Sequence, residues 1–156
     1  NFFIAAPMIY AAVGRLAAQN ATRSQIMRLK DPQLLFRAAI RDGDTEQRTL
    51  TNERFHSIMG EMADNEFLMP SLRRLLIDHA RIGMVFYNTR NPQLADQRAV
   101  AVEQHDQFIA LIEASDAEGC AEVAIAHWEL SRAQIESFVT PGSVFAPLGR
   151  VPESIA

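Results

Sequence analysis

Apolar residues recur at intervals of three and four along almost the whole chain, and no stretch alternates between apolar and polar residues as a strand does. This period is typical of helices that bury one face, so the sequence predicts an all-α fold. Capping residues, prolines and glycines divide the apolar stretches into six or seven helices. The predicted helices run from about Phe3 to Gln19, from a cap at Thr22 or Ser24 to Ile40, from Thr45 to Ala63, from Glu66 to Tyr87, from Gln93 to Ala114, and from a cap at Asp116 to Val139.

The second predicted helix contains Asp31-Pro32 near its middle. Proline fits the first turn of a helix but not its interior, because it lacks a backbone N–H and its ring clashes with the preceding turn. We therefore expect the helix to stop and to restart at this proline. Residues 140–156 contain several prolines and glycines without an apolar period, which predicts an extended or disordered tail. Residues 1–139 are then one domain.

Composition and charge restrict the function classes. The chain has 156 residues and a formal net charge of -4, which opposes direct binding of nucleic acid because phosphate binding needs a concentrated basic face. Cys120 is the single cysteine, so an internal disulfide is excluded. This fits a reducing compartment, and we expect a cytoplasmic protein.

The first helix is apolar almost all round between Phe2 and Ala18. Pro7, Gly14 and Arg15 interrupt the stretch, and it is short for a membrane span, so we expect no membrane contact. A helix that is apolar on most of its faces is typical of a core or of a subunit interface. The sequence therefore predicts a homodimer.

Three histidines carry the most specific chemical signal. His56, His105 and His127 each lie within the apolar stripe of a different predicted helix, which places all three toward the core of the bundle. Asn52 lies four residues before His56, on the same face of the third helix. Imidazole is the commonest metal ligand in proteins, and helix bundles often hold metal ions in their cores. We therefore predict a metal site built from these four residues.

The ligand set suggests which ion binds and what else binds with it. Three neutral imidazoles and an amide oxygen suit zinc, nickel or a similar divalent ion. Four protein ligands leave coordination positions open, which favours an exchangeable ligand over a closed structural site. The ion's charge would be uncompensated in the bundle interior, so we expect that ligand to be an anion, a small organic acid. Arg81 and Tyr87 are candidates to bind its polar groups, and its apolar part is expected against Phe55, Met59 and Phe108.

The pattern Asn52-x-x-Phe55-His56, then Glu103-Gln104-His105, then Ala126-His127, resembles a known family. The intervals are 49 residues from His56 to His105 and 22 from His105 to His127. Arg15-Leu16-Ala17-Ala18 and Asn65-Glu66-Phe67-Leu68 add to the likeness. Together these features resemble the FCD domain, the C-terminal effector-binding domain of FadR-type regulators in the GntR family of bacterial transcription regulators.

The resemblance implies an antiparallel bundle of six or seven helices that dimerises, with an interior metal ion beside a pocket for a small carboxylate. Carried over by position, the implied metal ligands are Asn52, His56, His105 and His127. The chain departs from the family at Asn52, where an aspartate is usual. It departs again in the first helix, where the usual arginine and glutamate correspond to positions near Ala6 and Tyr10.

The resemblance also implies how such a domain acts. Regulators of this kind place a winged helix-turn-helix domain upstream, which these 156 residues do not contain. DNA would be bound only through that absent domain. This chain would sense the effector, and would not be an enzyme.

Two alternatives remain open at this stage. The first is a metalloenzyme, because Glu53-x-x-His56 is an element of di-iron helix bundles. Such enzymes need two of these elements, and the corresponding positions before His105 and His127 are Val102 and Ala124. The second alternative is a regulator domain that binds an acyl ligand without metal.

Overall fold

The computed structural model describes residues 2–86 and 92–139. Within these ranges all regular structure is helical, which confirms the predicted all-α fold. Tyr87 and the predicted tail over 140–156 lie outside the described residues. The helices are α1 (Phe2–Asn20), α2 (Arg23–Asp42), α3 (Thr45–Ala63), α4 (Leu68–Phe86), α5 (Pro92–Glu113) and α6 (Ala117–Val139).

Capping residues fix both ends of α2 and the start of α3. The Thr22 hydroxyl accepts a hydrogen bond from the backbone N–H of Gln25, whose side chain accepts one from the backbone N–H of Thr22. This reciprocal pair satisfies two N–H groups that a helix start would otherwise leave unpaired. Gly43 ends α2 in the left-handed region, with φ of 71°, where glycine has no steric penalty. Asp44 then caps α3 by accepting from the backbone N–H of Gln47.

Side-chain caps also set the starts of α4 and α6. The Asn65 side chain accepts hydrogen bonds from the backbone N–H groups of Phe67 and Leu68, each at 3.0 Å. Because this cap occupies the first positions, α4 begins two residues later than predicted. Asp116 accepts from the backbone N–H of Gly119 at 2.9 Å and caps α6 as expected.

The predicted break at Pro32 is wrong, because α2 is continuous from Arg23 to Asp42. A proline inside a helix costs about 3 kcal/mol through the lost hydrogen bond and the ring clash. Pro32 is itself buried, and so are Leu29, Gln33 and Phe36 on the same side of the helix. Packing of α2 against α3 and α5 outweighs the local cost, because tertiary burial contributes more to helix stability than local propensity.

The core forms around α1, which contacts α3, α4, α5 and α6, whereas α2 packs on the outer side against α3 and α5. This arrangement places α3, α5 and α6 around one interior volume. Large apolar side chains fill it. The fully buried ones include Trp128, Phe55, Phe108, Leu29, Met62, Leu72 and Ile112.

By length and composition α1 could cross a membrane. In the structure it packs within the bundle, with Ala6, Tyr10 and Val13 buried. Its one charged residue, Arg15, forms an ion pair with Glu118 of α6, at 2.7 Å. One side of α1 is therefore part of the core of the bundle.

The packing of α1 on α6 depends on Gly14. A Cβ atom at this position would lie 2.9 Å from the backbone oxygen of Cys120 and 3.3 Å from its carbonyl carbon. Backbone atoms inside a helix have little freedom to move aside. The absence of a side chain at Gly14 therefore sets the distance between the two helices.

We expect Gly14→Ala to lower the free energy of unfolding by about 1–3 kcal/mol, because the added methyl group overpacks the α1–α6 contact. Helix propensity alone predicts the opposite sign, a gain of about 1 kcal/mol. Urea denaturation at constant pH measures the difference. A stabilised variant would show that the two helices separate easily and that the contact is not restrictive.

Candidate metal centre

Three helices bring His56, His105 and His127 together in the interior. His56 lies on α3, His105 on α5 and His127 on α6, and one ring nitrogen of each lies within 4.8 Å of the others. The Nε2 atoms of His56 and His127 are 3.3 Å apart. The side chains therefore converge as the helical phases predicted, while their role as metal ligands stays a prediction.

A glutamine on α2 fixes the orientation of His105. Gln33 Oε1 lies 2.9 Å from His105 Nδ1, and the Gln33 amide nitrogen donates to the Val102 carbonyl at 3.0 Å and to the Asp106 carboxylate at 2.9 Å. Because the amide nitrogen serves two acceptors, Oε1 accepts and His105 carries its proton on Nδ1. His105 Nε2 is then an unprotonated nitrogen, buried and without a hydrogen-bond partner among the residues that the structure describes.

A second glutamine holds His127 in the same way. Gln104 Oε1 lies 2.8 Å from His127 Nδ1, and the Gln104 side chain is buried. The Nδ1–H donates to this oxygen, so Nε2 of His127 offers its lone pair to the interior. Histidines that bind metal ions usually donate their second ring N–H to an oxygen of the protein in this manner.

Neither glutamine was predicted to have a role, although the position of each in the sequence is unusual. Gln33 lies between Leu29 and Phe36 at spacings of four and three, so it is a polar residue within the apolar stripe of α2. Gln104 belongs to the Glu103-Gln104-His105 pattern but was not assigned a function. A polar residue in a buried stripe needs a hydrogen-bond partner, and here both partners are histidines.

Aromatic rings enclose the histidines. The ring of Phe55 stacks on that of His105, with centroids 4.0 Å apart and planes 3° from parallel. Phe108 contacts His56 and His127 edge-on, at 6.1 Å and 5.8 Å. Phe55 and Phe108, predicted to contact the effector, therefore also form the apolar surroundings of the imidazoles.

A small cavity of about 20 Å³ borders the histidine cluster. Met59 and Phe108 line it together with His56 and His127. Two of the three apolar residues expected to contact the effector thus border this cavity. The third, Phe55, lines neither this cavity nor a larger one that Asn52 borders. The remaining residues lining the small cavity are Tyr10, Val13, Leu72, His79, Ala124 and Trp128.

A larger cavity of about 70 Å³ also borders His127. Asn52 lines it, one helical turn before His56. Two arginines that the sequence analysis did not select, Arg48 and Arg98, also line it. The other lining residues are Phe36, Ile40, Thr49, Glu53, Leu76, His79, Ala80, Gln97, Ala101, Leu130 and Ser131.

Arg81 is exposed and lines neither cavity, and its predicted contact with the effector stays a prediction. His79 does line both cavities, with its Nε2 atom 3.0 Å from the hydroxyl oxygen of Ser131. Two helical residues correspond to a rotation of about 200°, which turns Arg81 away from the side on which His79 faces the interior. The other polar candidate on this segment, Tyr87, lies outside the described residues.

Comparison with known proteins agrees with this architecture. Residues 8–130 match the family described as the FCD domain. The chain belongs to the FCD domain family. No curated protein matches this FCD domain. Among solved structures, E. coli McbR/YncC shares its fold with a TM-score of 0.77 and 19% sequence identity, covering 89% of this chain and 64% of McbR/YncC. The chain thus spans less than two thirds of that protein's length.

Burial keeps the histidines of this FCD domain neutral. It holds the pKa of His56 and His105 well below the ordinary value, and neighbouring imidazoles of the cluster lower it further. Burial also lowers the pKa of His127 to about 3 and that of His79 to about 4. Neutral imidazole is the form that donates a lone pair to a metal ion, so the folded domain keeps all three imidazoles in the form that metal binding requires at neutral pH.

Lowered histidine pKa values make stability depend on pH. Below about pH 6.5 the unfolded chain protonates these four histidines, whereas the folded domain resists protonation down to about pH 4 at His79 and about pH 3 at His127. Each histidine then lowers the free energy of unfolding by up to about 1.4 kcal/mol per pH unit. We expect the free energy of unfolding of the metal-free domain to decrease as the pH falls from about 6.5 toward about 4, measured by urea denaturation.

The His79→Gln variant is the control for this pH dependence. It removes one of the four histidines and leaves the cluster of three, so we expect its free energy of unfolding to change with pH about one quarter less steeply. If the free energy of unfolding of the parent chain did not change with pH over this range, the histidines would be solvated and would ionise freely.

Proposed function

We propose that this FCD domain is the sensor of a transcription regulator, and that it binds a small organic acid at a divalent metal ion, zinc or nickel. The protein ligands would be His56, His105 and His127, with Asn52 as the fourth. The observation that carries the proposal is His105 Nε2, a buried lone pair whose ring is oriented by Gln33.

The chemistry of the donor set fits such an ion. An unpaired polar atom in a dry interior costs about 1–3 kcal/mol, so native proteins rarely leave one without a partner. A metal ion would satisfy His105 Nε2 together with the neighbouring nitrogens of His56 and His127. Imidazoles with oriented second nitrogens suit borderline divalent ions such as zinc and nickel.

The position of Asn52 supports an open site. Asn52 is half-buried and lines the larger cavity together with His127. If it contributes its amide oxygen, all four protein ligands are uncharged, and the two positive charges of the ion remain uncompensated. An ion of this kind in a low-dielectric interior favours an anion beside it. The cavity next to His127 supplies space for that anion.

Family membership supports the regulatory part of the proposal. DNA would be bound through a winged helix-turn-helix domain outside these residues, and the sensor would act within a cytoplasmic homodimer. The exposed side of α1 supports a subunit interface, because Ile4 and Met8 are 66% and 68% exposed one helical turn apart. The effector need favour one dimer arrangement over another by only about 1–3 kcal/mol to change DNA binding.

The metal part of the proposal predicts that zinc or nickel binds at one ion per chain. We expect His105→Ala to abolish high-affinity binding, since it removes one of three imidazoles. Gln33→Leu keeps all three but releases the His105 ring, and we expect a loss of about 10–100-fold in affinity. Isothermal titration with each metal on chelator-treated protein measures both effects.

The control is His79→Gln, which changes a half-buried histidine outside the cluster and is expected to keep the parent's metal affinity. Stoichiometry well below one ion per chain in the parent would contradict the metal site. Equal metal affinities in the parent and in Gln33→Leu would show that the orientation of the His105 ring does not affect metal binding.

The sensing part of the proposal predicts that organic acids stabilise the metal-loaded protein. A ligand that binds only the folded state at a concentration 100 times its Kd adds about 2.7 kcal/mol of stability, which thermal unfolding detects easily. We expect carboxylic acids to raise Tm in the parent and much less in His105→Ala. Hits that stabilise both proteins equally would favour a metal-free acyl-ligand binder. Chemical turnover of a hit would favour the metalloenzyme alternative.

A further inference from the structure

The Gln33 amide has two different ends, and their orientation decides which nitrogen of His105 carries the proton. The amide oxygen faces His105 Nδ1. If the amide were turned over, its NH₂ group would face Nδ1, which would have to accept, and the ring proton would move to Nε2. An imidazole protonated on Nε2 cannot donate the lone pair of that nitrogen to a metal ion. The groups that hold the Gln33 amide therefore decide whether His105 can act as a ligand.

Two acceptors hold the nitrogen end of the amide, and only Asp106 is charged. Its Oδ1 atom lies 2.9 Å from Gln33 Nε2, and a hydrogen bond to a carboxylate is about twice as strong as one between neutral groups. The other acceptor is the carbonyl oxygen of Val102, which lies within α5 and also accepts the helical hydrogen bond of that turn. In a turned amide, the oxygen would face the negative carboxylate and be repelled by it. Asp106 thus opposes the turned orientation more strongly than Val102 does.

Arg37 holds the Asp106 carboxylate against α2. Its guanidinium donates to Oδ2, whereas Gln33 donates to Oδ1, so each carboxylate oxygen has its own partner. Gln33 and Arg37 lie one helical turn apart and reach Asp106 from the same side of α2. The side chains of Arg37 and Asp106 are 53% and 49% exposed, whereas Gln33 is only 3% exposed. A chain of polar contacts therefore runs from the surface of the bundle to the buried ring of His105.

We propose that Asp106 is a positioning residue of the metal site, which acts through Gln33 to keep the lone pair of His105 on Nε2. The metal in this inference rests on the proposed function, whereas the effect on the His105 proton belongs to the metal-free domain as well. An exposed ion pair contributes little to stability, so loss of Asp106 should affect the site more than the fold. The carboxylate would thus set metal affinity from the surface without contacting the ion.

The first measurement is the position of the His105 proton in the metal-free protein, by NMR of the ring ¹⁵N nuclei. The His105→Ala variant identifies the signals. We expect the proton on Nδ1 in the parent, and a measurable population with the proton on Nε2 in Asp106→Ala, because the amide can then turn over. Arg37→Gln removes the ion pair but keeps the carboxylate, so its proton is expected to stay on Nδ1.

Glu113→Ala is the matched control. Glu113 is another exposed carboxylate of α5, two helical turns beyond Asp106, and it forms an ion pair with Lys30 of α2. The variant removes the same charge and the same kind of contact between the same two helices. We expect it to keep the parent's proton on Nδ1 of His105.

The second measurement is zinc affinity by isothermal titration. We expect Asp106→Ala to lower it by about tenfold, the low end of the effect of removing a group that orients a metal-bound histidine. Glu113→Ala and Arg37→Gln are expected to keep the parent's affinity. Circular dichroism confirms that each variant is folded. If Asp106→Ala does not fold, Asp106→Ser replaces it, because a hydroxyl is one bond shorter than the carboxylate and does not reach the amide.

The outcomes separate this inference from the proposed function. The same proton position in the Asp106 and Glu113 variants would overturn the role of Asp106, and so would a parent with the proton on Nε2 of His105. A shifted proton with unchanged zinc affinity would overturn the link to metal binding. Absence of zinc binding in the parent would overturn the proposed function, while the NMR comparison would still decide whether Asp106 positions His105.

Discussion

The hydrogen bond from His105 to Gln33 is the interaction on which the site depends. Gln33 belongs to α2, which carries none of the three histidines, yet it determines which nitrogen of His105 faces the interior. The Gln33 amide is itself held by Val102 and Asp106 of α5, and Asp106 also accepts from Arg37 of α2. Orientation of one imidazole thus requires the correct packing of two helices, so the site and the fold form together.

Much of the architecture could be predicted from the sequence because it depends on local periodicity. Helix phase places His56, His105 and His127 on core-facing sides, and short polar residues such as Asn65 and Asp116 mark helix starts. The break predicted at Pro32 was wrong, because the packing of α2 against its neighbours stabilises the helix by more than the proline costs locally.

The residues that line the cavities could not be predicted in the same way. Arg48 and Arg98 lie on different helices, and their proximity to one cavity depends on how α3 and α5 pack. Arg81 was a candidate because arginine binds carboxylates, but its position two residues after His79 turns it outward. Residue type suggests which groups can bind a ligand, whereas helix packing decides which of them reach it.

The close approach of α1 and α6 at Gly14 has a mechanical consequence. The two helices have no side chain between them at Gly14, so we expect a movement of one helix to displace the other. His127 is carried by α6, and Ile4 and Met8 lie on the outer side of α1. A ligand that displaces α6 at His127 would therefore also move α1, and with it the exposed side chains of Ile4 and Met8.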